Sequence, residues 1–167
     1  MSRSADAPLG GFQLTTLVVL RMLVGWHFLY EGVAKITSDQ WTSVGYLRES
    51  QGWFSGLFQD LAANPGAVLA VDALNEWGLT LIGLALLVGV FTRTAAAAGI
   101  VLLALYYLAA PPLPGLEYAI PTEGSYLIVN KVLVELAALM VLLALPTSHR
   151  IGLDRILRKP RTTVEAT

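Results

Sequence analysis

Four ionisable side chains interrupt an otherwise apolar stretch of the sequence, residues 15–36, and their spacing places them on one side of a helix. They are Arg21, His27, Glu31 and Lys35. At about 100° per residue they fall within roughly 120° of the helix circumference, and the last three follow one another at i, i+4 spacing. A carboxylate between an imidazole and an ammonium group can bind polar ligands or exchange protons. This side of the helix is therefore the first candidate for chemistry.

These charges constrain the rest of the fold, because an ionisable group in lipid hydrocarbon costs at least a few kcal/mol. The stretch has the length of a membrane span, which needs about 20 residues. Its charged side must therefore face other helices or a wet cavity, and the remaining chain must supply that shelter. Arg21 lies deeper along this span than the other charged residues and stands apart from them.

The overall composition agrees with an integral membrane protein. Hydrophobic residues make up 55% of the 167 residues and charged residues 14%, against about 25% charged residues in soluble domains. The net charge of −1 gives no reason to expect a nucleic-acid partner. The chain contains no cysteine, which excludes disulfides, thiol redox chemistry and cysteine-ligated metals or iron–sulfur clusters.

Four apolar segments predict an all-α membrane protein, a four-transmembrane-helix bundle that occupies residues 14–146. Residues 1–13 are predicted to form a flexible lead and residues 147–167 a basic tail. No small-residue cleavage site closely follows the first segment, so we expect it to remain as an uncleaved span. The predicted spans are residues 15–36, 72–90, 95–110 and 126–145.

Two polar segments separate the predicted spans. Residues 37–71 mix aromatic and charged side chains, a composition that suits the membrane–water interface. We expect short interfacial helices here that cap the bundle; the alternative is an ordinary loop, although structureless loops of this length are uncommon. Residues 111–125 begin with a proline-rich stretch and are predicted to form a second loop on the same side.

The distribution of basic residues predicts the orientation. Residues 149–161 of the tail hold Arg150, Arg155 and three further basic residues against a single Asp154, and Arg93 lies in the connection between the second and third spans. By the positive-inside rule, both termini are cytoplasmic and the two polar segments lie outside. We therefore expect a multi-pass protein of the inner (cytoplasmic) membrane whose tail contacts lipid headgroups.

Polar residues of all four predicted spans then lie at one depth, near the outer end of the bundle. Glu31, Glu76 and Glu135 are the candidate catalytic residues, because carboxyl groups in a membrane can be shared or protonated and can accept a proton. The candidate ligand-binding residues include cations, tyrosines that can donate to a carbonyl, and an aromatic residue of the cap: His27, Lys35, Trp41, Asp72, Tyr106, Tyr107, Asn130 and Lys131. The sequence therefore predicts a polar pocket in the outer half of the bundle, roofed by the cap.

Two other interpretations of these residues stay open. They could form structural salt bridges, such as Glu31 with Lys131 or Lys35 with Glu135, although buried ion pairs need not stabilise a fold more than apolar packing does. A metal site would need several carboxylates and a histidine to converge, and the sequence shows no metal-ligand spacing. The second histidine, His149, lies at the opposite end of the molecule, so bis-histidine haem ligation is not expected. We predict neither haem nor metal.

Two segments also resemble a known family. The segment LRMLVGWHFLYEGVAKI, which contains Arg21, Gly25, Phe28, Glu31, Gly32 and Lys35, resembles the start of the DoxX/DoxD family of small membrane proteins. The similarity continues through GLTLIGLALLVGVFTRTAA, residues 78–96, where family members carry an E-x-x-x-x-L-x-L-G-x-x-T-R-x-A-like stretch. The resemblance implies that Glu76 and Arg93 would occupy its acidic and basic places.

The resemblance implies a four-span plan and, for some members, the membrane subunit of a thiosulfate:quinone oxidoreductase. Other members are associated with redox homeostasis or with the assembly of partner enzymes. Because the chain has no cysteine to carry a sulfur intermediate, we do not extend thiosulfate chemistry to it.

Three hypotheses about function follow. The preferred one is a quinone-interacting subunit of a redox system, with quinone as the ligand and electrons supplied by a partner or a soluble substrate. The second is a non-enzymatic membrane anchor or assembly factor whose long cap docks an outer-face partner protein. The third is a small carrier that binds a lipid or solute in the same pocket.

Overall fold

The fold is taken from a computed structural model, which describes residues 10–116, 118 and 127–157. These residues form seven helices, and the all-α class predicted from the sequence is confirmed. The helices are α1 (Gly11–Ile36), α2 (Val44–Arg48), α3 (Ser55–Ala63), α4 (Pro65–Val88), α5 (Thr92–Ala109), α6 (Lys131–Ala144) and α7 (Asp154–Leu157).

Within the described ranges, three helices are long and apolar enough to cross a membrane: α1, α4 and α5. The helix α6 is shorter, with 14 residues. At 1.5 Å per residue it rises about 21 Å, whereas the hydrocarbon core of a bilayer is about 30 Å thick. The three long helices bear out the membrane class.

The start of α4 differs from the predicted one because a polar side chain caps it. The helix begins at Pro65 rather than at residue 72. The Asn64 side chain accepts hydrogen bonds from the N–H groups of Gly66 (3.0 Å) and Ala67 (3.3 Å), and proline suits the first position of a helix. Residues 64–66, which the prediction assigned to the polar segment 37–71, are therefore a helix start.

Two other helix starts depart from the prediction for similar reasons. The helix α1 begins at Gly11, so the end of the predicted flexible lead is helical, and the N–H of Gly10 donates to the Gln13 side chain (2.9 Å). Residues 1–9 of that lead lie outside the described residues. The helix α6 begins at Lys131 rather than at residue 126, because the Asn130 side chain accepts the N–H of the third helical residue (3.0 Å).

The helices α1 and α4 pack against each other at backbone distance. A Cβ atom added to Gly83 would lie 2.3 Å from the backbone nitrogen of Leu29, and one added to Gly32 would lie 2.5 Å from that of Thr80. A side chain at either glycine would therefore push the helices apart. Gly78 of α4 differs, since an added Cβ would approach only Leu74 of the same helix (3.8 Å).

One apolar core joins α1, α4, α5 and α6. Its most deeply buried large side chains are Phe28 of α1, Leu86 of α4 and Leu139 of α6, each 2% exposed or less. Contacts are unevenly distributed around this core: α1 packs mainly on α4 and α6 mainly on α5, whereas α1 and α6 share few contacts. The seam between α1 and α6 is therefore the most open side of the bundle.

The helices α2 and α3 form a cap at the end of the bundle where α5 terminates; we call this the cap end. Leu47 and Phe58 of the cap are buried together with Ala109 of α5. The Tyr46 hydroxyl donates to the Tyr106 carbonyl (2.8 Å). Burial raises the pKa of Tyr46 above its ordinary value, so its hydroxyl remains a hydrogen-bond donor. The predicted cap segment thus contains two short helices, α2 and α3, that pack against the end of α5.

The opposite end of the bundle, the tail end, is closed by residues 147–157, which fold back onto it. Arg21 is 4% exposed, and its Nη1 donates to the Ile151 carbonyl (2.8 Å) and to the Thr147 hydroxyl (3.2 Å). The N–H of Asp154 donates to the Gly89 carbonyl at the end of α4 (3.0 Å). We call this arrangement of Arg21, Gly89 and residues 147–157 the tail lock. Residues 158–167 of the predicted basic tail lie outside the described residues.

Asp154 connects the tail lock to the start of α5 by a hydrogen bond. Its carboxylate accepts a hydrogen bond from the N–H of Phe91 (3.0 Å). Burial acts to raise the pKa of Asp154, but hydrogen bonds from Ser148 and from the backbone N–H groups of Phe91 and Thr92 outweigh it and hold the pKa below its ordinary value. The carboxylate is therefore favoured in the folded protein.

Gly89 makes the close approach in the tail lock possible. Its φ of 74° lies in the left-handed region, and an added Cβ would lie 2.8 Å from the Cα of Gly152. Both the backbone conformation and the space thus require glycine at this position.

Candidate functional site

A cavity of about 170 Å³ lies at the cap end, between α1, α4, α5 and α6. Its apolar lining comes from Phe28, Leu79, Leu103 and Val132. Its polar lining gathers six of the residues proposed from the sequence: His27, Glu31, Lys35, Tyr106, Lys131 and Glu135. A cavity with an apolar floor and a few convergent polar groups is the usual form of a small-molecule site.

Two ion pairs stand at the cavity, and each has a different role in the fold. Nδ1 of His27 lies 2.7 Å from Oε1 of Glu135, which joins α1 to α6 across the open seam. Nζ of Lys35 lies 2.6 Å from Oε2 of Glu31, one turn away on the same helix. The alternative pairing of Lys35 with Glu135 is therefore wrong: Lys35 reaches its own-helix neighbour, and the Glu135 carboxylate is bonded to the histidine.

The His27–Glu135 pair gives the cavity a group that can move a proton. When Nδ1–H donates to the carboxylate, Nε2 is left to accept or release a proton. The ring is held in place by an edge-on contact with Phe28, at 6.5 Å between ring centroids. His27 thus has two contacts in the fold, one with the Phe28 ring and one with the Glu135 carboxylate.

Trp41 of the cap segment does not line the cavity but lies beside it, in contact with the lining residue Lys35. Nζ of Lys35 lies 5.5 Å from the centre of the Trp41 ring, within range of a cation–π interaction. The lysine side chain is 16% exposed, whereas its partner Glu31 is 45% exposed. The cavity is therefore bordered by the cap but is not sealed.

Tyr106 is bound to a residue that sequence reasoning did not place in the site, Asn75 of α4. The Tyr106 hydroxyl donates to Oδ1 of Asn75. Nδ2 of Asn75 in turn donates to the Val71 carbonyl (2.8 Å). Asn75 is 6% exposed, and an amide in an apolar helix next to a proposed catalytic glutamate was the signal that could have identified it. The apolar lining residues carry no sequence signal that separates them from the core.

Besides Trp41, four residues proposed from the sequence lie outside the cavity lining. Asp72 accepts hydrogen bonds from the Thr42 hydroxyl (2.9 Å) and the Ser43 N–H (2.8 Å), and so ties α4 to the cap. Asn130 caps the start of α6. The other two are Glu76, on the α4 surface that packs against Gly32, and Tyr107, whose hydroxyl donates to the Ile128 carbonyl (2.8 Å).

The described cavity lining includes residue types that can bind metals, namely His27, Glu31 and Glu135. Among the described residues, no three His, Asp or Glu side chains come together in an arrangement that could hold a metal ion. The cavity's charged groups instead form pairs.

Comparison with known families gives a match to the family described as DoxX over residues 16–111. The match covers most of α1 and all of α2 to α5. It ends before α6, so Lys131, Val132 and Glu135 join the cavity from outside the matched segment. No curated protein and no solved structure matches the chain.

Proposed function

The chain belongs to the DoxX family, and from this premise we propose that its cavity binds the head group of a quinone as part of a membrane redox system. The family and the three long apolar helices make it an integral, multi-pass membrane protein. A membrane protein with a half-open polar cavity among its helices has direct access to lipid-soluble ligands.

The observation that carries the proposal is the combination of size and chemistry in one cavity. An engineered cavity of about 150 Å³ is known to hold a benzene ring, and this cavity is of similar volume, about 170 Å³. Phe28, Leu79 and Leu103 offer an apolar surface to a ring. The head group of a quinone has this shape, with an oxygen at each end.

The charged residues fit the two ends of such a ligand. The ammonium groups of Lys35 and Lys131 would donate hydrogen bonds to a quinone oxygen. Reduction of a quinone also consumes protons in equal number to electrons, and Glu31 and the His27–Glu135 pair are the groups that could supply them. The electrons would come from a partner or a soluble substrate.

The open seam supports a route for the ligand. The helices α1 and α6 share few contacts, and the His27 side chain, which lies on this seam, is 38% exposed. A quinone head could enter between these helices while its isoprenoid tail remains in the lipid.

We further propose the full membrane arrangement. α6 would be the fourth span, and α2 and α3 would lie at the membrane–water interface. Arg93, Arg150 and Arg155 at the tail end support a cytoplasmic location of both termini in the inner membrane, by the positive-inside rule. The cavity would then open in the outer half of the bilayer.

A second candidate function is favoured by the surface of the cap. Trp53, Phe54 and Leu57 are 78%, 46% and 58% exposed, and all three lie at or near the start of α3. Exposed apolar clusters mark interaction sites. A non-enzymatic anchor that holds an outer-face partner protein would use this surface rather than the cavity.

Mass spectrometry of organic extracts from gently purified protein tests these proposals. We expect a quinone at a near-equimolar ratio to wild-type protein and a loss of roughly tenfold in Glu135→Gln, since one charged hydrogen-bond partner is removed. Asp60→Asn, the same carboxyl-to-amide change on the exposed surface of α3, is the control and should retain the quinone.

Other outcomes would contradict the quinone proposal. Absence of quinone, together with a second polypeptide in the native mass spectrum that is lost in Trp53→Ala, would favour the anchor. A different lipid in stoichiometric amount would favour a carrier.

A further inference from the structure

The direction of the hydrogen bonds around Tyr106 determines what this residue can offer a ligand. An amide oxygen cannot be the atom that approaches the Val71 carbonyl, because both atoms are acceptors. The amide of Asn75 is therefore oriented with Nδ2 toward Val71 (2.8 Å) and Oδ1 toward Tyr106.

It follows that the hydroxyl hydrogen of Tyr106 is already used. Oδ1 of Asn75 has no hydrogen to give, so the Tyr106 hydroxyl must be the donor in their bond. Tyr106 lines the cavity, yet it has no second hydrogen for a ligand there. Its oxygen can only accept.

The backbone around Tyr106 is fixed as well. The Tyr46 hydroxyl donates to the Tyr106 carbonyl (2.8 Å), and the two rings meet edge-on with centroids 6.1 Å apart. The cap therefore holds Tyr106 in position from above while Asn75 holds its hydroxyl from α4. Rotation of this hydroxyl toward a ligand would leave the buried Asn75 oxygen without a donor, which is costly.

We infer that Tyr106, oriented by Asn75, is a specificity-determining residue that makes the cavity prefer the reduced, hydroxyl-bearing quinol over the quinone. This inference rests on the proposed function and concerns the same site. A quinone oxygen only accepts, and so it would face Tyr106 with two acceptors in contact. A quinol hydroxyl donates to Tyr106 at one end of the ring, and its oxygen at the other end can still accept from Lys35 or Lys131.

Paired affinity measurements test the inference. Decylubiquinone and its anaerobically reduced quinol are each equilibrated by dialysis with purified protein in detergent, and the ratio of the two Kd values is compared between variants, so that partition into micelles cancels. Wild-type protein should bind the quinol more tightly by roughly tenfold, the effect expected for one unsatisfied polar contact.

Two variants separate the roles of Tyr106 and Asn75. Asn75→Leu frees the Tyr106 hydrogen to donate into the cavity, so the affinity for the quinone should rise and the preference should shrink or disappear. Tyr106→Phe should lower the affinity for the quinol and raise that for the quinone, because the acceptor that the quinone oxygen faces is removed. Tyr118→Phe is the matched control, because the Tyr118 hydroxyl donates to the Pro111 carbonyl (2.9 Å) and Tyr118 is not part of the cavity lining.

The results of these measurements test the role of Tyr106 separately from the proposal that the cavity binds a quinone. Equal affinities for quinone and quinol in wild-type protein, or a ratio that neither variant changes, would overturn the role of Tyr106 while the quinone site stands. Failure of wild-type protein to bind either form would remove the quinone site itself. Melting temperatures of all variants in the same detergent confirm that altered ratios come from folded protein.

Discussion

The two ends of α1 carry charged residues in opposite settings. At the tail end, Arg21 is 4% exposed and is packed among chain segments that fill the space around it. At the cap end, His27, Glu31 and Lys35 line a cavity, and the Glu31 side chain is 45% exposed. One helix thus buries a charge against its own chain and presents three others to a space that a ligand can fill.

The difference between the two ends shows how to separate structural from functional charges in a membrane bundle. In the tail lock, hydrogen bonds from Arg21 end on Thr147 and on the Ile151 carbonyl, and a close glycine contact leaves no room for a ligand. Around the cavity, Nε2 of His27 and the oxygen of Tyr106 can each form a hydrogen bond with a ligand. Charged residues in a span are functional candidates by default, and it is the adjacent empty volume that strengthens the case.

The largest expected effect comes from breaking the tail lock. Arg21→Ala removes two hydrogen bonds and leaves a buried void, so the free energy of unfolding should fall by about 3 kcal/mol. Thermal unfolding followed by circular dichroism in detergent measures this loss. Arg48→Ala, at an exposed position of the cap, should change stability little. An unchanged melting temperature in Arg21→Ala would show that the tail is held by other contacts.

A change at the cavity should have the opposite signature. Glu31→Gln removes a charge from a half-exposed ion pair, which contributes about 1 kcal/mol or less to stability, so the fold should persist. Quinone retention should fall several-fold, because the carboxylate no longer positions Lys35 at the cavity. Extract mass spectrometry and a melting curve on the same sample give both values. Unfolding of this variant would class Glu31 with Arg21 as structural.

The smallest expected effect is a pH dependence of the protein's stability that comes from Asp154 of the tail lock. The folded-state pKa of Asp154 is lowered, so its contribution to stability is present at neutral pH and is lost as the pH falls below about 4 and through the folded value. The melting-temperature difference between wild type and Asp154→Asn should therefore shrink on acidification. Asp39→Asn, on the exposed surface of the cap, should show no such convergence. A constant difference across this range would exclude Asp154 as the titrating group.

Much of this comparison could be anticipated from the sequence. The length and apolarity of three segments indicate membrane helices, and i, i+4 spacing places His27, Glu31 and Lys35 on one side of α1. Because the polar residues of the predicted spans lie at one depth, the sequence also predicts that Glu135 and Lys131 lie close to these side chains. These features depend on helical periodicity and hydrophobicity, which are properties of single segments.

The features that the sequence did not disclose depend on contacts between segments. Glu135 is the partner of His27 because of the rotational orientation of α6 relative to α1. The periodicity of a single helix does not determine this orientation. In the same way, the Asn75–Tyr106 hydrogen bond depends on which faces of α4 and α5 pack against each other. The tail lock joins residues far apart in sequence, and it does so partly through backbone groups such as the Ile151 carbonyl, which carry no residue-specific signal. The sequence therefore gives Arg21 no assigned partner.

The tail lock has a consequence for how the protein is made. Arg21 leaves the ribosome with the first helix, whereas Thr147 and Ile151 follow 126 and 130 residues later. The partner of His27, Glu135, is likewise synthesised 108 residues later. During translation, α1 therefore holds charged groups without their partners until α6 and residues 147–151 have been made. A chain that stalls before α6 therefore keeps an arginine in an apolar helix without its hydrogen-bond partners, and an unpaired charge of this kind is costly in hydrocarbon.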